Sequence, residues 1–206
     1  MIIVVEGVSA SGKTTWCRTH FSKTTIGELP PARDAEASLD VRSRHQFWAE
    51  RNSERWRAAV TMEGATGIAV CDTDPFKLHY SWSLWRIGEV GDDEWREGLA
   101  ATRRCFAAQT LGLADLILVA DADLAELERR RDSDLSESGR RRRTFDLHVR
   151  LTQPLREWYE AVERLEPGRV RWELSPDGGL APLPDRRASR SGTGQFDALI
   201  AQLPQR

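Results

Sequence analysis

Three short, wholly apolar runs recur along the chain: Ile2-Ile3-Val4-Val5, Ile68-Ala69-Val70-Cys71 and Leu116-Ile117-Leu118-Val119-Ala120. Strands covered on both faces need such unbroken runs, so each predicts a buried strand of a parallel sheet. Helical patterns lie between them, over Lys13–Phe21 and Ser43–Met62, from Asp92-Asp93 through Trp95, Leu99, Cys105 and Phe106, and over Leu124–Arg131. Thr24–Gly27 predicts a further strand ending at Glu28, and Arg169–Leu174 alternates as an edge strand does. Thr144–Leu165 predicts a helix in which Pro154 sets a kink or a restart. Gly64 and Gly67 end the second helix, and Pro30–Asp40 reads as loop. Residues 175–193, rich in Pro, Gly, Ser and Arg, predict a loop or partial disorder. Phe196, Leu199, Ile200 and Leu203 fall at helical spacing, so a short last helix docks back. Strands alternating with helices define an α/β fold, and 206 residues fit one domain with a proper core.

Composition narrows the class further. The chain is 40% hydrophobic and 30% charged with a formal net charge of −2, as for a soluble globular protein. That balance argues against nucleic acid as the main partner, although a local basic patch stays open. No apolar run approaches the roughly 20 residues of a membrane span. Ile2–Val5 is far too short for a signal peptide, so the expected localisation is cytoplasmic. Cys17, Cys71 and Cys105 are scattered without metal spacing and read as buried, reduced thiols. The oligomeric state is not legible, which leaves a homodimer open.

The chemistry concentrates where the first apolar run meets the first helix. Gly7-Val8-Ser9-Ala10-Ser11-Gly12-Lys13-Thr14 fits the strand–glycine loop–helix context of a phosphate-binding loop, with Thr15 following. Such a loop aims several backbone N–H groups, and the N-terminus of the new helix, at one anion. Lys13 would reach the β- and γ-phosphates of ATP, and the Thr14 hydroxyl would hold Mg²⁺. The second apolar run, Ile68–Cys71, continues into Asp72-Thr73-Asp74-Pro75. Asp72, which closes the strand, is the candidate for the metal's outer shell, and Asp74 is a candidate base or a turn residue. Glu28, at the predicted end of the second strand, is the other candidate base. The aromatic and basic residues Trp48, Arg51, Tyr80 and Trp82 are candidates for a pocket around a planar substrate; core packing is the ordinary alternative. Residues 128–145 carry Arg129-Arg130-Arg131 and Arg140-Arg141-Arg142-Arg143 around a polar stretch. That run is either a solvated face or a closing lid, in which Arg131, Arg140 and Arg142 would neutralise charge on a transferring phosphoryl group.

Val5-Glu6-Gly7 with Gly12-Lys13-Thr14-Thr15 resembles the opening of thymidylate kinases and deoxynucleoside kinases. Leu118–Arg131 and Arg140–Trp158 are similar to the stretch leading into their lid and to the lid arginines with the helix that follows. The resemblance implies a five-stranded parallel sheet with helices on both faces. It also implies transfer of the ATP γ-phosphoryl group to a nucleoside or nucleoside monophosphate. Those families usually place an arginine after the acidic residue of the third strand, where this chain has Thr73. A small-molecule acceptor is therefore expected, whether a nucleoside, a nucleotide or a hydroxylated secondary metabolite such as an antibiotic. A nucleotide switch or a polynucleotide-end kinase is the competing class; no N-K-x-D guanine-reading motif occurs.

Overall fold

The computed structural model describes residues 1–28, 36, 38–121, 123–133 and 140–205, with only the backbone described at 131, 133 and 140–144. Five strands, β1 (Ile2–Glu6), β2 (Thr25–Ile26), β3 (Ala69–Asp72), β4 (Leu116–Val119) and β5 (Val170–Arg171), form one sheet in the order β2-β3-β1-β4-β5. Every pairing is parallel. The apolar runs hold the centre, and the alternating Arg169–Leu174 segment contributes an edge, as its half-polar pattern requires.

Alternation along each central strand decides which side chain meets which layer. Ile2, Val4, Ala69, Cys71, Ile117 and Val119 face one side and pack with α2 (Val41–Thr66), α3 (Leu78–Arg86), α4 (Asp92–Ala107), α7 (Thr152–Leu165) and α8 (Thr193–Gln202). Ile3, Val5, Val70, Leu116 and Leu118 face the other, against Trp16 and Cys17 of α1 (Lys13–Phe21). Leu174 and Leu180 complete that second layer from the segment after β5. The first layer is rich in rings, with Phe76, Phe106, Trp158 and Phe196 in mutual contact. Cys17, Cys71 and Cys105 are buried free thiols, and burial pushes the first two up to about 12.

Three boundaries differ from the sequence reading. Gly64 lies inside α2, which runs on until Gly67 adopts a left-handed φ of 83° and donates its N–H to Glu63 O; one glycine in a long packed helix costs too little to end it. The helix predicted over 144–165 is two, α6 (Arg140–Arg150) and α7, and Pro154 falls in the first turn of α7, where a missing N–H leaves no gap in the helix. Helix α5 (Leu124–Ser133) ends two residues beyond the predicted limit.

The segment after β5 is pinned rather than loose, which corrects the reading of partial disorder. Ser175 O accepts from Trp16 Nε1 at 2.7 Å, Arg187 N donates to Asp115 Oδ1 at 2.9 Å, and Arg190 makes a bidentate pair with Glu63 at 2.6 and 2.8 Å. That pair holds the Glu63 carboxyl down at about 2, against the opposing effect of burial. A carboxyl with a depressed folded pKa stabilises the fold fully above its unfolded value and loses that contribution as pH falls through the folded value. Glu63 therefore supports the fold above pH ~4.5 and ceases to do so toward pH 2. Glu63→Gln is expected to lower stability on the order of 2 kcal/mol at neutral pH, with the deficit shrinking below pH ~4, as read by urea titration across pH.

Candidate functional site

The carboxyl ends of β1, β3 and β4 converge, with Val5 beside Asp72 and Glu6 beside Val119 in register. Crevices outside such strand ends are where open parallel sheets bind ligands. Here the crevice is filled by the loop from Gly7 to Gly12. Gly7 has a φ of 154°, and a Cβ there would lie 2.6 Å from Ser11 Oγ and 3.0 Å from Ala120 O. Ala10 at 67° and Gly12 at 90° are the other left-handed residues of the loop. This backbone curls around a cup and delivers the free N-terminus of α1, whose Gly12 cap has no side-chain partner. Unsatisfied N–H groups at that point attract an anion.

Around the cup stands a connected set of charges. Lys13 is half-buried, its Nζ 3.4 Å from Val8 O, and it acts electrostatically on Glu6, Glu28, Asp72 and His148. The Thr14 side chain acts on the Asp72 carboxyl, whose Oδ1 is buried with no hydrogen-bond partner among the described residues. Burial lifts the Asp72 carboxyl above its ordinary value, although Thr14 and Lys13 pull it down. Glu28 is exposed at the exit of β2 and takes Lys77 Nζ on Oε1 at 2.7 Å. Burial raises the Glu28 carboxyl, but Lys77 and then Lys13 outweigh it, so its pKa is lowered and the group is ionised at neutral pH. Tyr80, 38% exposed, feels both Lys77 and Glu28 and so stands beside that pair.

Not every residue singled out from the sequence reaches the cup. Asp74 is 3% exposed, with Oδ1 accepting from Phe76 N at 2.8 Å and Oδ2 from Tyr159 Oη at 3.2 Å. A buried carboxylate with both oxygens already accepting is poorly placed as a base, which corrects that reading. Trp82 is 1% exposed in the core, its ring 5.9 Å from that of Trp158. The four-residue step from Leu78 to Trp82 turns it toward the sheet, so it does not wall a pocket. Trp48 donates Nε1 to Glu36 Oε2 at 2.5 Å, and the Arg51 guanidinium lies 5.5 Å from the ring centroids of both Phe47 and Trp48. These groups form their own cluster on α2. Ser9, Ala10, Ser11 and Thr15 take up the loop and first-turn positions, Thr15 being exposed. The side chains of Arg131, Arg140 and Arg142, and residues 134–139 of the segment expected to form a lid, lie outside the described residues.

Other residues emerge only from the packing. Glu6, buried at the end of β1, accepts from Gly7 N on Oε1 and from Asp74 N on Oε2, both at 2.9 Å. His79 Nε2 lies 3.4 Å from the same Oε2. Burial opposes the Glu6 charge, but His79, Lys77 and Lys13 outweigh it and hold its pKa down. One carboxylate thus ties the phosphate loop to the turn after Asp72, where Thr73 sits at a left-handed φ of 72°. Arg55, buried on α2, clamps the same turn by donating to Gly27 O at 3.1 Å, Asp72 O at 2.8 Å and Thr73 O at 2.9 Å. Arg130, one place from the predicted Arg131, donates to Ser11 O at 2.5 Å. The spacing of His79 and Trp82 along α3 hinted that a histidine shared the buried face. The sequence marks Arg130 only as part of a charged run and Arg55 only as one arginine among aromatic residues, and nothing local points to the carbonyls they hold.

Among solved structures, a deoxyadenosine kinase from M. mycoides with bound dCTP aligns over 98% of this chain and 98% of its own, at TM-score 0.56 and 10% identity. The same enzyme with products dCMP and dCDP aligns over 84% of this chain and 89% of its own, at TM-score 0.56 and 12% identity. A thymidylate kinase from Candida albicans aligns over 83% of this chain and 81% of its own, at TM-score 0.51 and 16% identity. The fold is that of the P-loop kinases. No protein-family model matches the sequence, and no curated protein sequence matches it. Within this P-loop kinase fold the cup, Lys13, Thr14 and Asp72 occupy the strand-end crevice, and no helix among the described residues is long and apolar enough to cross a membrane.

Proposed function

We propose that this chain is an ATP-dependent phosphotransferase that moves the γ-phosphoryl group to a hydroxyl or phosphate of a nucleoside, nucleotide or similar ring-bearing metabolite. The observation that carries the reading is the Gly7–Gly12 cup, with Lys13 Nζ against Val8 O of that loop and both Lys13 and Thr14 acting on Asp72 at the end of the neighbouring strand. Backbone N–H groups and Lys13 bind the triphosphate, and the fixed loop geometry orients the γ-phosphoryl group toward the Glu28 side. The buried, unpartnered Asp72 Oδ1 beside the Thr14 hydroxyl suits a hydrated divalent cation, since it is an oxygen acceptor without a donor. Mg²⁺ would be held by Thr14 directly and by Asp72 through water, and when bound it would neutralise charge between the β- and γ-phosphates. Glu28 is ionised and exposed, and its Oε2 takes the proton from the acceptor hydroxyl while Lys77 holds Oε1. Glu6 and Arg55 keep the loop and the turn after Asp72 in place while this happens.

Release of ADP over many turnovers is the test, with nucleosides, nucleoside monophosphates and hydroxylated natural products as acceptors. Turnover is expected only when an acceptor is present. Acceptor-independent ADP release would instead favour an NTPase switch. Salt-sensitive binding of DNA or RNA, with turnover on 5′-ends, would favour a polynucleotide-end kinase.

A further inference from the structure

His148 lies on α6, between the arginine run and α7, and no step above uses it. Its Nδ1 is in contact with Ser9 Oγ, in the middle of the phosphate loop, and this is the one hydrogen bond described for the ring. The imidazole is half-buried, and Lys13 of α1, Lys77 ahead of α3 and Glu28 after β2 all act on it. Those groups sit on both sides of the transfer path, with Lys13 at the triphosphate end and the Lys77–Glu28 pair at the acceptor end. A side chain that touches Ser9 and feels all three lies against the loop and within electrostatic reach of both ends.

We propose that His148 is a catalytic residue that gives a hydrogen bond from Nε2 to an oxygen of the phosphoryl group in transfer, its ring held in place by Ser9. This rests on the proposed phosphotransferase reading and adds a residue to it. Phosphoryl oxygens at neutral pH are acceptors only, so a donor is what the position calls for. Ser9 Oγ and Nδ1 share one hydrogen bond; in the tautomer this role requires, the hydroxyl donates to Nδ1 and the neutral ring carries its proton on Nε2, the nitrogen left for the ligand. Burial, followed by Lys13 and Lys77, keeps the ring neutral by lowering its pKa, while Glu28 pulls the other way. A neutral donor supplies a hydrogen bond without crowding a third cation beside two ammonium groups. Placed on the helix that begins with Arg140–Arg143, it would also make α6 sense whether the γ-phosphate is present.

The test reads the histidine directly. The protein has four histidines, so the Cε1 proton of each can be followed by NMR, with His148→Gln assigning its signal. The His148 signal is expected to move further with Mg²⁺ and a non-hydrolysable ATP analogue than with Mg²⁺ and ADP; identical positions in the two would overturn the proposal. In turnover, His148→Ala is expected to lower kcat by about 10²-fold and His148→Gln, which keeps an N–H donor, by less. ATP affinity by equilibrium titration should stay within about threefold in both, which also confirms folding. Unchanged kcat in His148→Ala, with wild type active and Lys13→Ala inactive, would overturn the role of His148 alone. A wild-type protein that binds nucleotide but transfers nothing to any acceptor would overturn the underlying function as well.

Discussion

Lys13→Ala is expected to lower phosphoryl-transfer turnover by at least about 10²-fold, the largest effect of any single side chain here. The ammonium is the charge to which most of the site refers: it acts on Glu6, Glu28, Asp72 and His148 at once. Its only described hydrogen bond, to Val8 O, is long at 3.4 Å, so the group is positioned without being consumed by a protein partner. A preorganised cation of that kind stabilises charge that builds during transfer and needs no rearrangement when it does. Removing it also leaves Glu6, Glu28 and Asp72 facing each other with less compensation, so affinity for Mg·ATP is expected to fall along with kcat. Steady-state ADP release and calorimetric titration of the nucleotide read the two effects separately. Wild-type turnover in Lys13→Ala would remove the phosphate cup from the mechanism.

Asp72→Asn is expected to separate activity from stability. Turnover should fall by about 10²-fold or more, because the amide lacks the negative charge that would hold a hydrated cation beside Thr14. Stability should move the other way. Burial is the leading cause that lifts the Asp72 carboxyl above its ordinary value, with Glu28 and Glu6 pushing in the same direction. A carboxyl that holds its proton more tightly in the folded chain costs stability at pH above both its values and nothing below them. The neutral amide removes that cost, so the variant's melting temperature at neutral pH should equal or exceed that of the wild type, with the gap closing toward pH ~4. A parallel loss of activity and melting temperature would mean that Asp72 serves the fold instead of the chemistry. Protection of the wild type by Mg·ATP, and its loss in the variant, gives a readout independent of any acceptor.

Glu28 and Asp74 were alike on paper as candidate bases, Glu28 at the end of a predicted strand and Asp74 in the turn after one. They differ in the fold because Asp74 lies where α7 crosses, and Tyr159 and the Phe76 N–H take its oxygens, whereas Glu28 leaves the short edge strand β2 into solvent. The aromatic residues of 76–91 divide in the same way: Trp82 enters the core, Trp85 stacks on Trp95 at 5.9 Å, and Tyr80 turns toward Lys77 and Glu28. Helical phase assigns these faces, but which face is buried depends on α7 arriving from far along the chain and on α4 folding back beside α3.

By itself the sequence determined the sheet and the cup. Runs of four or five apolar residues, rich in Ile and Val and too short for a buried helix, suit strands covered on both sides, and a glycine-bearing loop between such a strand and a helix can curl its N–H groups inward. Both follow from rules that act over a few residues. Only the tertiary structure decided which polar residues share the cup: Glu6 with His79, Arg55 with the carbonyls of the Asp72 turn, Arg130 with Ser11 and His148 with Ser9. The last two join residues 119 and 139 positions apart, and the Arg55 contact spans 17. Desolvation sets the worth of such pairs, because a charge gains or loses most where water is excluded, and exclusion is a property of the assembled layers rather than of any local stretch.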